Sequence, residues 1–578
     1  PTDGGLWKLG DGTLVLNGMN TYTGITSAQE GTLVIGSSAG FGASVAGHGY
    51  VASGATLAGH GRIAGDLFND GGTVSPGYLG SYGSLTVGGN YSGQNGAVIA
   101  IKLDGSFGGV VTDRFITQGS TNLTGTTLRL DKTIYALHCG EQASVIQTGG
   151  GVTGAVDLFD ISQYSELMLF DNGTTNGFSG IVYGTGVDQG EGFDAIDGLN
   201  SNEQAIAGAV SDEVLDGSNT VDAGTAFGSA AIEIVHDCGN GDFLNSLSPE
   251  GYAGMSDYAQ HATRNYTRSA LNMPGVAVRP YTPAPVIDSA KGGDSAKGAV
   301  HYPAQTVKET TIFAGFIDFD AETDSSSAGD YSIDGSGAIA GIRHRVNKIT
   351  LGGFIGVDSG DIETTYIHAD VDGLLFGAFA SYHINDDTNT FVTGGVTYGD
   401  FEYDGTRSTP FNGTSRFDGV DGESLDIFVE VQGDVYKTDR FRLTPSFGLH
   451  YIDTQVDGFT ETGGVLPLTV MSMDNEALLA EIELNAEYKV TDRFLVNGSI
   501  GYTHNFMDSD RTVDAKFVSG STPFSVGANG FSEDILSLGL GATWHATDAL
   551  SFRVNYRAEF GSDQETSNIF GIGGSFSF

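Results

Sequence analysis

The sequence is poor in basic residues, cysteine and proline, and each shortage excludes a class of protein. Its 578 residues carry 26 Lys+Arg against 71 Asp+Glu, which gives a formal net charge of −45 at pH 7. Because phosphate contacts need a basic surface, this balance excludes nucleic acid as a partner. Two cysteines are too few for a disulfide framework or a four-cysteine zinc site. With only 12 prolines, and glycines that follow no three-residue period, collagen is excluded as well.

Long apolar runs are also missing, since no run approaches the ~20 residues that a membrane-spanning helix needs. The chain is instead rich in glycine, with 89 residues, and in aromatics, with 34 Phe and 23 Tyr. So many aromatics exclude a disordered acidic chain, and the length favours two or more domains. The sequence starts at Pro1 without Met or a signal peptide, so we expect a processed or truncated form.

Composition divides the chain into four segments. Residues 1–191 are rich in Gly, Thr, Ser and Val and are cut into short strand-like runs, whereas residues 192–272 hold the helical patterns. Residues 273–308 contain five of the 12 prolines and are typical of a linker. Residues 309–578 return to strands, which are longer than those of the first segment. We interpret the four segments as a β-rich stem, a helical segment, a linker and a second β domain.

The first segment has the pattern of a stack of short strands. Runs such as 32–35, 85–87 and 97–101 are bounded by Gly, Asn or Ser, which supply turns. The sequence Ala-Gly-His-Gly at 46–49 recurs at 58–61. Repeated short strands with glycine turns predict a parallel β-helix. An ordinary β-sandwich is the alternative, and it fits the short runs and frequent glycine less well.

The second segment holds two helix starts. Residues 200–207 begin the first with polar residues, followed by Ala and Ile. Ser248 as N-cap and Pro249 at the first helical position begin the second. We expect this second helix to end at about Asn272.

The last segment shows strong period-two alternation. In 441–451, 478–488 and 550–560 every second residue is apolar and the intervening ones are polar or charged. One apolar face and one charged face is the pattern of a sheet with lipid outside and water inside. We count twelve such strands between 311 and 578, which predict a closed transmembrane β-barrel. Short turns, near 347, 386–387, 438–439, 491–492 and 547–548, alternate with long loops, near 322–330, 359–365, 404–415, 457–472, 510–529 and 563–565.

Several motifs resemble one family. The run Gly5-Leu6-Trp7-Lys8-Leu9-Gly10-Asp11-Gly12-Thr13-Leu14, followed by Asn20-Thr21-Tyr22-Thr23-Gly24 and Gly31-Thr32-Leu33-Val34, resembles the autotransporter-associated β-strand repeat. Residues 71–91 resemble the C-terminal end of autotransporter passengers, and 248–253 resemble the helix that precedes their barrel. The final strand ends in an alternating pattern that resembles the signal read by the bacterial outer-membrane assembly machinery: Phe570, Ile572, Phe576 and Phe578.

Over nearly all of its length the chain therefore resembles the C-terminal part of a classical monomeric autotransporter of type V secretion. The resemblance implies an outer-membrane translocator at 309–578 and a cell-surface β-helical passenger at 1–191, in a Gram-negative bacterium. It also implies that the helix within about 249–272 lies in the barrel lumen, with 273–308 as a periplasmic linker. Expected partners are outer-membrane lipid, the assembly machinery and a host or cell-surface ligand; no enzyme activity and no cofactor are expected.

The resemblance gives the polar residues of the lumen a specific interpretation. His261, Arg264 and Arg268 are three and four residues apart, so they share one helix face. A basic helix inside an acidic lumen would take one orientation, each water-bridged pair contributing ~1 kcal/mol. We hypothesise that both arginines lie within salt-bridge reach of lumen-facing acids, for which the candidates are Asp426, Glu430, Glu481, Glu483 and Glu487.

Two other function classes stay open at this point. One is a surface-anchored adhesin or structural stalk, and the other is a hydrolase carried by the passenger, which would need a catalytic constellation. The G-x-S-x-G pattern at 36–40 is typical of chance in a glycine-rich repeat. His48 and His60 lack acidic or cysteine partners nearby, and the acidic loops contain no D-x-D-x-D-G motif, so no metal site is expected. Cys139 and Cys238 could pair in an oxidising compartment or remain two buried thiols.

Overall fold

A computed structural model gives the architecture of the chain in two compact units, Pro1–Leu247 with Ser519–Phe524 and Ser248–Val518 with Ser525–Phe578. The residues that the structure describes are 3–105, 110–132, 137–154, 156, 158–160, 167–171, 179–185, 187, 191–215, 220–273, 308–323, 330–385, 387–409, 413–507, 511–528, 530, 532–562 and 565–578. Most of the predicted linker 273–308 lies outside these residues.

The first unit begins as a parallel β-helix, which confirms the prediction from the short repeated strands. Three parallel sheets run side by side, the first two through seven successive rungs and the third through six. The first sheet contains Leu6–Lys8, Thr26–Ala28, Gly49–Val51, Leu67–Asp70, Tyr91–Gln94, Thr121–Asn122 and Val152–Thr153. The second contains Thr13–Leu16, Thr32–Ile35, Thr56–Gly59, Thr73–Pro76, Ala97–Asp104, Thr126–Lys132 and Leu158–Asp160, with Val111–Thr112 paired to its side. The third contains Met19–Asn20, Ser44–Val45, Arg62–Ile63, Ser84–Val87, Arg114–Thr117 and Gln142–Thr148, and is extended by Leu167–Asp171, Ser179–Gly184 and Thr220–Asp222.

The core of the β-helix is a set of apolar columns along its axis. In the second sheet Leu33, Leu57, Val74 and Ile99 occupy equivalent positions in successive rungs, and each is buried. The neighbouring outward column is threonine in four rungs, starting with Thr13. At this position each of these rungs places an apolar side chain in the core, which is why the sequence repeats a Thr-apolar pair.

Three helices follow the β-helix: α1 Ser201–Val214, α2 Ala226–Asp237 and α3 Asp242–Leu247. The start of α1 is a capping box, in which the Asn200 side chain accepts from the Glu203 amide and Glu203 accepts from the Asn200 amide. Cys238, which ends α2, forms a disulfide with Cys139. The polar start of α1 that the sequence indicated is therefore a reciprocal cap.

The second unit is a closed antiparallel barrel of twelve strands, as the alternation predicted. Each strand pairs with the next, and the first pairs with the last. The strands are β1 Lys308–Thr323, β2 Tyr331–Val346, β3 Ile349–Thr364, β4 Ile367–Asn385, β5 Thr390–Ser408, β6 Thr414–Gln432, β7 Phe441–Val456, β8 Met473–Thr491, β9 Phe494–Asn505, β10 Asp534–His545, β11 Leu550–Gly561 and β12 Glu565–Ser577. Short strands outside this set are Tyr436–Lys437, Phe459–Thr460, Thr462–Gly463, Leu468–Val470, Arg511–Phe517 and Pro523–Ala528.

Two of the predicted long loops are wrong over much of their length. The region predicted as 359–365 is strand β3 up to Thr364, and that predicted as 404–415 is strand β5 up to Ser408. In this part of β3 the outward side chains are polar, such as Glu363, while Ile362 is buried inside. The strands continue beyond the apolar outer band, so the loss of outward apolar residues was mistaken for the end of the strand.

One helix, α4 Ala253–Asn272, belongs to the barrel unit. The sequence predicted its start at Ser248 and Pro249, but the α-helix begins later, after a 3-10 turn at Glu250–Tyr252. Ser248 still acts as a cap, because its Oγ accepts from the amide of Glu250 at 3.2 Å. Among the described residues, no helix has both the length and the apolar character needed to cross a membrane.

Candidate functional site in the barrel lumen

Helix α4 is enclosed by the barrel wall. Sixteen of its 20 residues are buried, and they include the ionisable residues Asp257, His261 and Arg264. Buried charges are stable only when they are paired and hydrogen-bonded. The wall around α4 must therefore supply complementary groups.

The basic face of α4 meets acids from two strands. Arg264 Nη1 lies 2.8 Å from Glu559 Oε2, and Arg268 Nη1 lies 2.7 Å from Glu559 Oε1. Arg268 also pairs with Glu481 of β8, which is 3.9 Å from Arg264 Nη2. One carboxylate on β11 thus binds both arginines of the helix, and a second on β8 reinforces the contact.

A third arginine completes this cluster from the wall itself. Arg557 Nε lies 2.8 Å from Glu559 Oε1, and its Nη2 lies 2.9 Å from Glu481 Oε1. Arg557 also pairs with Glu483. The side chains of the cluster are mostly buried, so its ion pairs are screened less than surface pairs.

The five acids predicted from the sequence have different partners. Glu481 pairs with the arginines of the helix, while Glu483 pairs with Arg557. Asp426 lies 3.1 Å from His450 Nδ1, and Glu487 lies 2.8 Å from Arg442, so these two pair within the wall. Glu430 lies in register with Gly448 of β7 and is half-buried.

Sequence reasoning missed two acids that pair with the basic face of the helix. One is Glu559, and the other is Glu565 of β12, whose Oε1 lies 3.0 Å from His261 Nε2. The alternation places Glu559 on the polar face of 550–560, so a signal for it was present. Which inward position meets the helix depends on strand register, and period-two alternation does not supply it.

The opposite face of α4 is aromatic. Tyr258 and Tyr266, two turns apart, both donate their hydroxyls to Asp358 of β3, at 2.6 and 3.0 Å. A Cβ on Gly356 would overlap the ring of Tyr266, and one on Gly360 would approach the hydroxyl of Tyr258. Glycines on the wall therefore leave room for these two rings, and the helix is held on both sides.

The N-terminal end of the helical segment is also held by wall and loop residues. The Tyr252 hydroxyl donates to Glu461, and Glu461 forms a fully buried ion pair with Arg407 of β5 at 2.7 Å. Arg511 donates to the hydroxyl of Ser256 at 2.7 Å and pairs with Asp257. Polar contacts therefore anchor α4 near its start as well as along both faces.

Other predicted site residues lie elsewhere. His48 Nδ1 accepts from the Asp66 amide at 2.9 Å, and His60 Nε2 lies 2.9 Å from Ser81 Oγ. Burial lowers the pKa of His60. Within the described part of the chain, no group of three or more His, Cys, Asp or Glu residues could hold a metal ion.

The G-x-S-x-G pattern and the terminal aromatics have clear placements. Residues 39–41 form a 3-10 turn, and strand residues from Ser44 follow it, so the pattern does not open an α-helix as a hydrolase elbow does.

The residues of the predicted assembly signal all lie on the outer face at the end of the last strand, with side chains 41–69% exposed: Phe570, Ile572, Phe576 and Phe578.

Comparisons with known proteins agree with this architecture. Residues 311–557 match the autotransporter β-domain family, and residues 6–35 match the passenger-associated transport repeat. A comparison with curated protein sequences finds no match.

Solved structures of three autotransporter domains are similar to the chain at low identity. The translocator domain of NalP from Neisseria meningitidis is 15% identical, with a TM-score of 0.41, and the match covers 57% of this chain and 97% of that one. The β-domain of Brka from Bordetella is 14% identical, with a TM-score of 0.36, covering 46% and 99%. The transport unit of AIDA-I from Escherichia coli is 12% identical, with a TM-score of 0.36, covering 56% and 99%.

The family match runs from β1 into β11 of the barrel, and the repeat match lies within the first two rungs of the β-helix. Residues 311–557 therefore belong to the autotransporter β-domain family, and the chain is an outer-membrane β-barrel translocator that exports a passenger N-terminal to the barrel.

Proposed function

We propose that α4 is the plug that closes the translocator once the passenger has crossed the membrane. In this account residues 1–191 are the surface-exposed stem, 192–272 connect the stem to the lumen, and 273–308 return to the periplasm. Residues 309–578 form the pore. The chain acts as a monomer and catalyses no reaction, and any ligand of the stem is met at the cell surface.

The observation that carries this proposal is the pairing of Arg264 and Arg268 with Glu559 and Glu481. A passenger in transit would have to occupy the lumen that α4 occupies. Once α4 is in place, each of its charged groups has a partner on the wall, so leaving the lumen would separate buried ion pairs. Breaking a buried pair costs about 3–5 kcal/mol, which favours a helix that stays in place.

A cross-link tests whether α4 occupies the lumen in cells. The hydroxyls of Thr267 on α4 and Thr397 on β5 lie 2.7 Å apart. The variant Thr267→Cys/Thr397→Cys should form a disulfide in whole cells, seen as a shift on non-reducing gels after cleavage of the linker. The pair Thr267→Cys/Ser381→Cys is the control, because Ser381 contacts Thr393 of the neighbouring strand instead. Equal cross-linking of both pairs, or none in either, would contradict the proposal.

Protease shaving tests the proposed topology separately. On intact cells, protease should remove residues 1–191 while the barrel resists. Cells with a permeabilised outer membrane provide the control, because the linker 273–308 should then be cleaved too. Protection of the stem in intact cells would place it in the periplasm and overturn the assignment.

A further inference from the structure

The C-terminal end of α4 lies on the four strands around the place where the barrel closes. Closure joins β1 to β12, the first strand of the barrel to the last, over the register Thr311↔Ser577 to Thr323↔Glu565. This ladder, here called the seam, joins strands that no turn connects. An opened seam in lipid would leave unpaired backbone groups, each costing several kcal/mol.

Met273, the residue after α4, packs on a pair of glycines at the seam. Gly315 of β1 and Gly573 of β12 are direct register partners across the ladder. A Cβ atom on either glycine would overlap the side chain of Met273, which is 7% exposed. A Gly–Gly pair contributes no cross-strand side-chain contact of its own. The Met273 side chain therefore fills the space that side chains at positions 315 and 573 would take up if these residues were not glycine.

The strands on either side of the seam bind the backbone of the same segment. Arg553 of β11 donates through Nη1 to the carbonyl of Asn272 at 3.0 Å. Arg343 of β2 donates through Nη2 to the carbonyl of Met273 at 2.8 Å, and its guanidinium lies over the ring of Phe313 of β1. The last carbonyls of a helix lack intrahelical donors, and cations near a helix C-terminus are favourable.

We infer that Met273 is a positioning residue that holds the seam closed, so that seating of the helix and closure of the barrel stabilise each other. Strands β11, β12, β1 and β2 are consecutive around the barrel, and each supplies one contact to Asn272–Met273. The segment thus bridges the seam from both sides. The inference rests on the proposed seating of α4 in the lumen.

The test uses the full chain and the temperature at which the folded barrel loses its compact, faster-migrating form on SDS gels. Met273→Ala should lower this temperature by about 5 °C, the scale of a buried Met→Ala change in a domain of this size. Met255→Ala is the matched control. Met255 is also a buried methionine, but it lies in the first turn of α4, at the end of the helix away from the seam.

A cross-link then separates the seam from general packing. Thr311 and Ser577 lie on opposite sides of the seam with hydroxyls 2.8 Å apart, so Thr311→Cys/Ser577→Cys can lock it. In the oxidised, locked protein the Met273→Ala deficit should disappear, whereas the Met255→Ala deficit should persist. An unchanged Met273→Ala deficit in the locked protein overturns the inference. If Met273→Ala yields no folded barrel, Gly573→Ala tests the same contact, with the same rescue expected.

Failure of the seam inference is distinguishable from failure of the plug. If α4 does not occupy the lumen, the Thr267→Cys/Thr397→Cys cross-link fails in the otherwise unchanged chain. If only the seam inference fails, that cross-link forms normally and locking the seam does not rescue Met273→Ala.

Discussion

The β-helix and the barrel are both built from strands with period-two alternation, but the sense of the alternation is opposite. In the β-helix the apolar side chains such as Leu33 point inward and the threonines point outward. In the barrel the outward positions are apolar, such as Ile482 at 58% exposure, and the inward neighbours include Glu481 and Glu483. The backbone pattern is the same, and the solvent on each side decides which face is apolar.

The difference also changes what fills the interior. The β-helix is filled by its own apolar columns, so each rung depends on the next. The barrel interior is polar and is filled by a helix from the same chain, through ion pairs and tyrosine hydroxyls. The stability of the barrel interior therefore depends on specific partners that lie far apart in sequence, such as Tyr258 and Asp358.

The largest effect is expected from a charge in the β-helix core. Leu57 is 2% exposed inside the column, and Leu57→Arg would bury an unpaired charge at a cost of about 5 kcal/mol. We expect the stem that protease releases from intact cells to be degraded further into small fragments, while the barrel keeps its heat-modifiable form. The adjacent Thr56→Arg points outward, and its released stem should stay intact. Fragmentation of the stem in both variants would mean that the two faces do not differ as described.

Inside the barrel the buried charges are paired, so here it is the removal of a charge that should lower the stability. Glu559→Gln takes the shared carboxylate from Arg264 and Arg268, and we expect a loss of about 3 kcal/mol. The measurement is the midpoint of urea unfolding of the barrel in detergent. Glu487→Gln is the matched control, since Glu487 pairs with Arg442 of the neighbouring strand and not with the helix. Equal shifts in the two variants would contradict a special role for Glu559.

A charged residue on the outer face of the barrel should destabilise the folded barrel, as a charged residue in the β-helix core destabilises the stem. Ile482 lies outward midway along β8, and Ile482→Arg should cost about 2–4 kcal/mol if this position is near the bilayer midplane. The yield of heat-modifiable barrel in the outer membrane reports the effect. Ile482→Val keeps the face apolar and should give a wild-type yield. A normal yield for Ile482→Arg would argue that this face does not contact lipid.

The smallest effect is expected in the helices that follow the β-helix, because the contact that is removed there is between residues close together in the sequence. Asn200→Ala removes one half of the capping box of α1 and should cost about 1 kcal/mol. Circular dichroism during thermal unfolding of the first unit would detect the shift. Asp212→Ala, at an exposed position late in the same helix, should change little. A larger loss from Asp212→Ala would show that the cap is not the dominant local contact.

Features that depend on neighbouring residues in the chain could be predicted from the sequence. Contacts that depend on the register between strands could not. The strand count of the barrel and the stacking of the β-helix both follow from short-range alternation and glycine spacing. Glu559 and Asp358 were not identified as contacts of the helix because alternation gives the face of a residue but not its neighbours across the lumen. The continuation of β3 to Thr364 was missed because its outward residues leave the apolar band before the strand ends.

The same distinction applies to the disulfide. The sequence left pairing of Cys139 and Cys238 open against two buried thiols, because a separation of 99 residues says nothing about distance in space. The two α-carbons lie 5.7 Å apart, where the end of α2 meets the turn before the β-helix strand Gln142–Thr148. Spatial proximity of this kind depends on the whole β-helix, which local patterns do not specify.

The conductance of the purified full chain in planar lipid bilayers tests the central claim most directly. If α4 seals the lumen through its basic face, the intact chain should show little conductance, and Arg264→Glu/Arg268→Glu should conduct as an open pore. The charge reversal places four acids together in the lumen, with Glu481 and Glu559, so the helix should leave. An intact chain that already conducts as an open pore, or a variant as closed as the intact chain, would contradict the account.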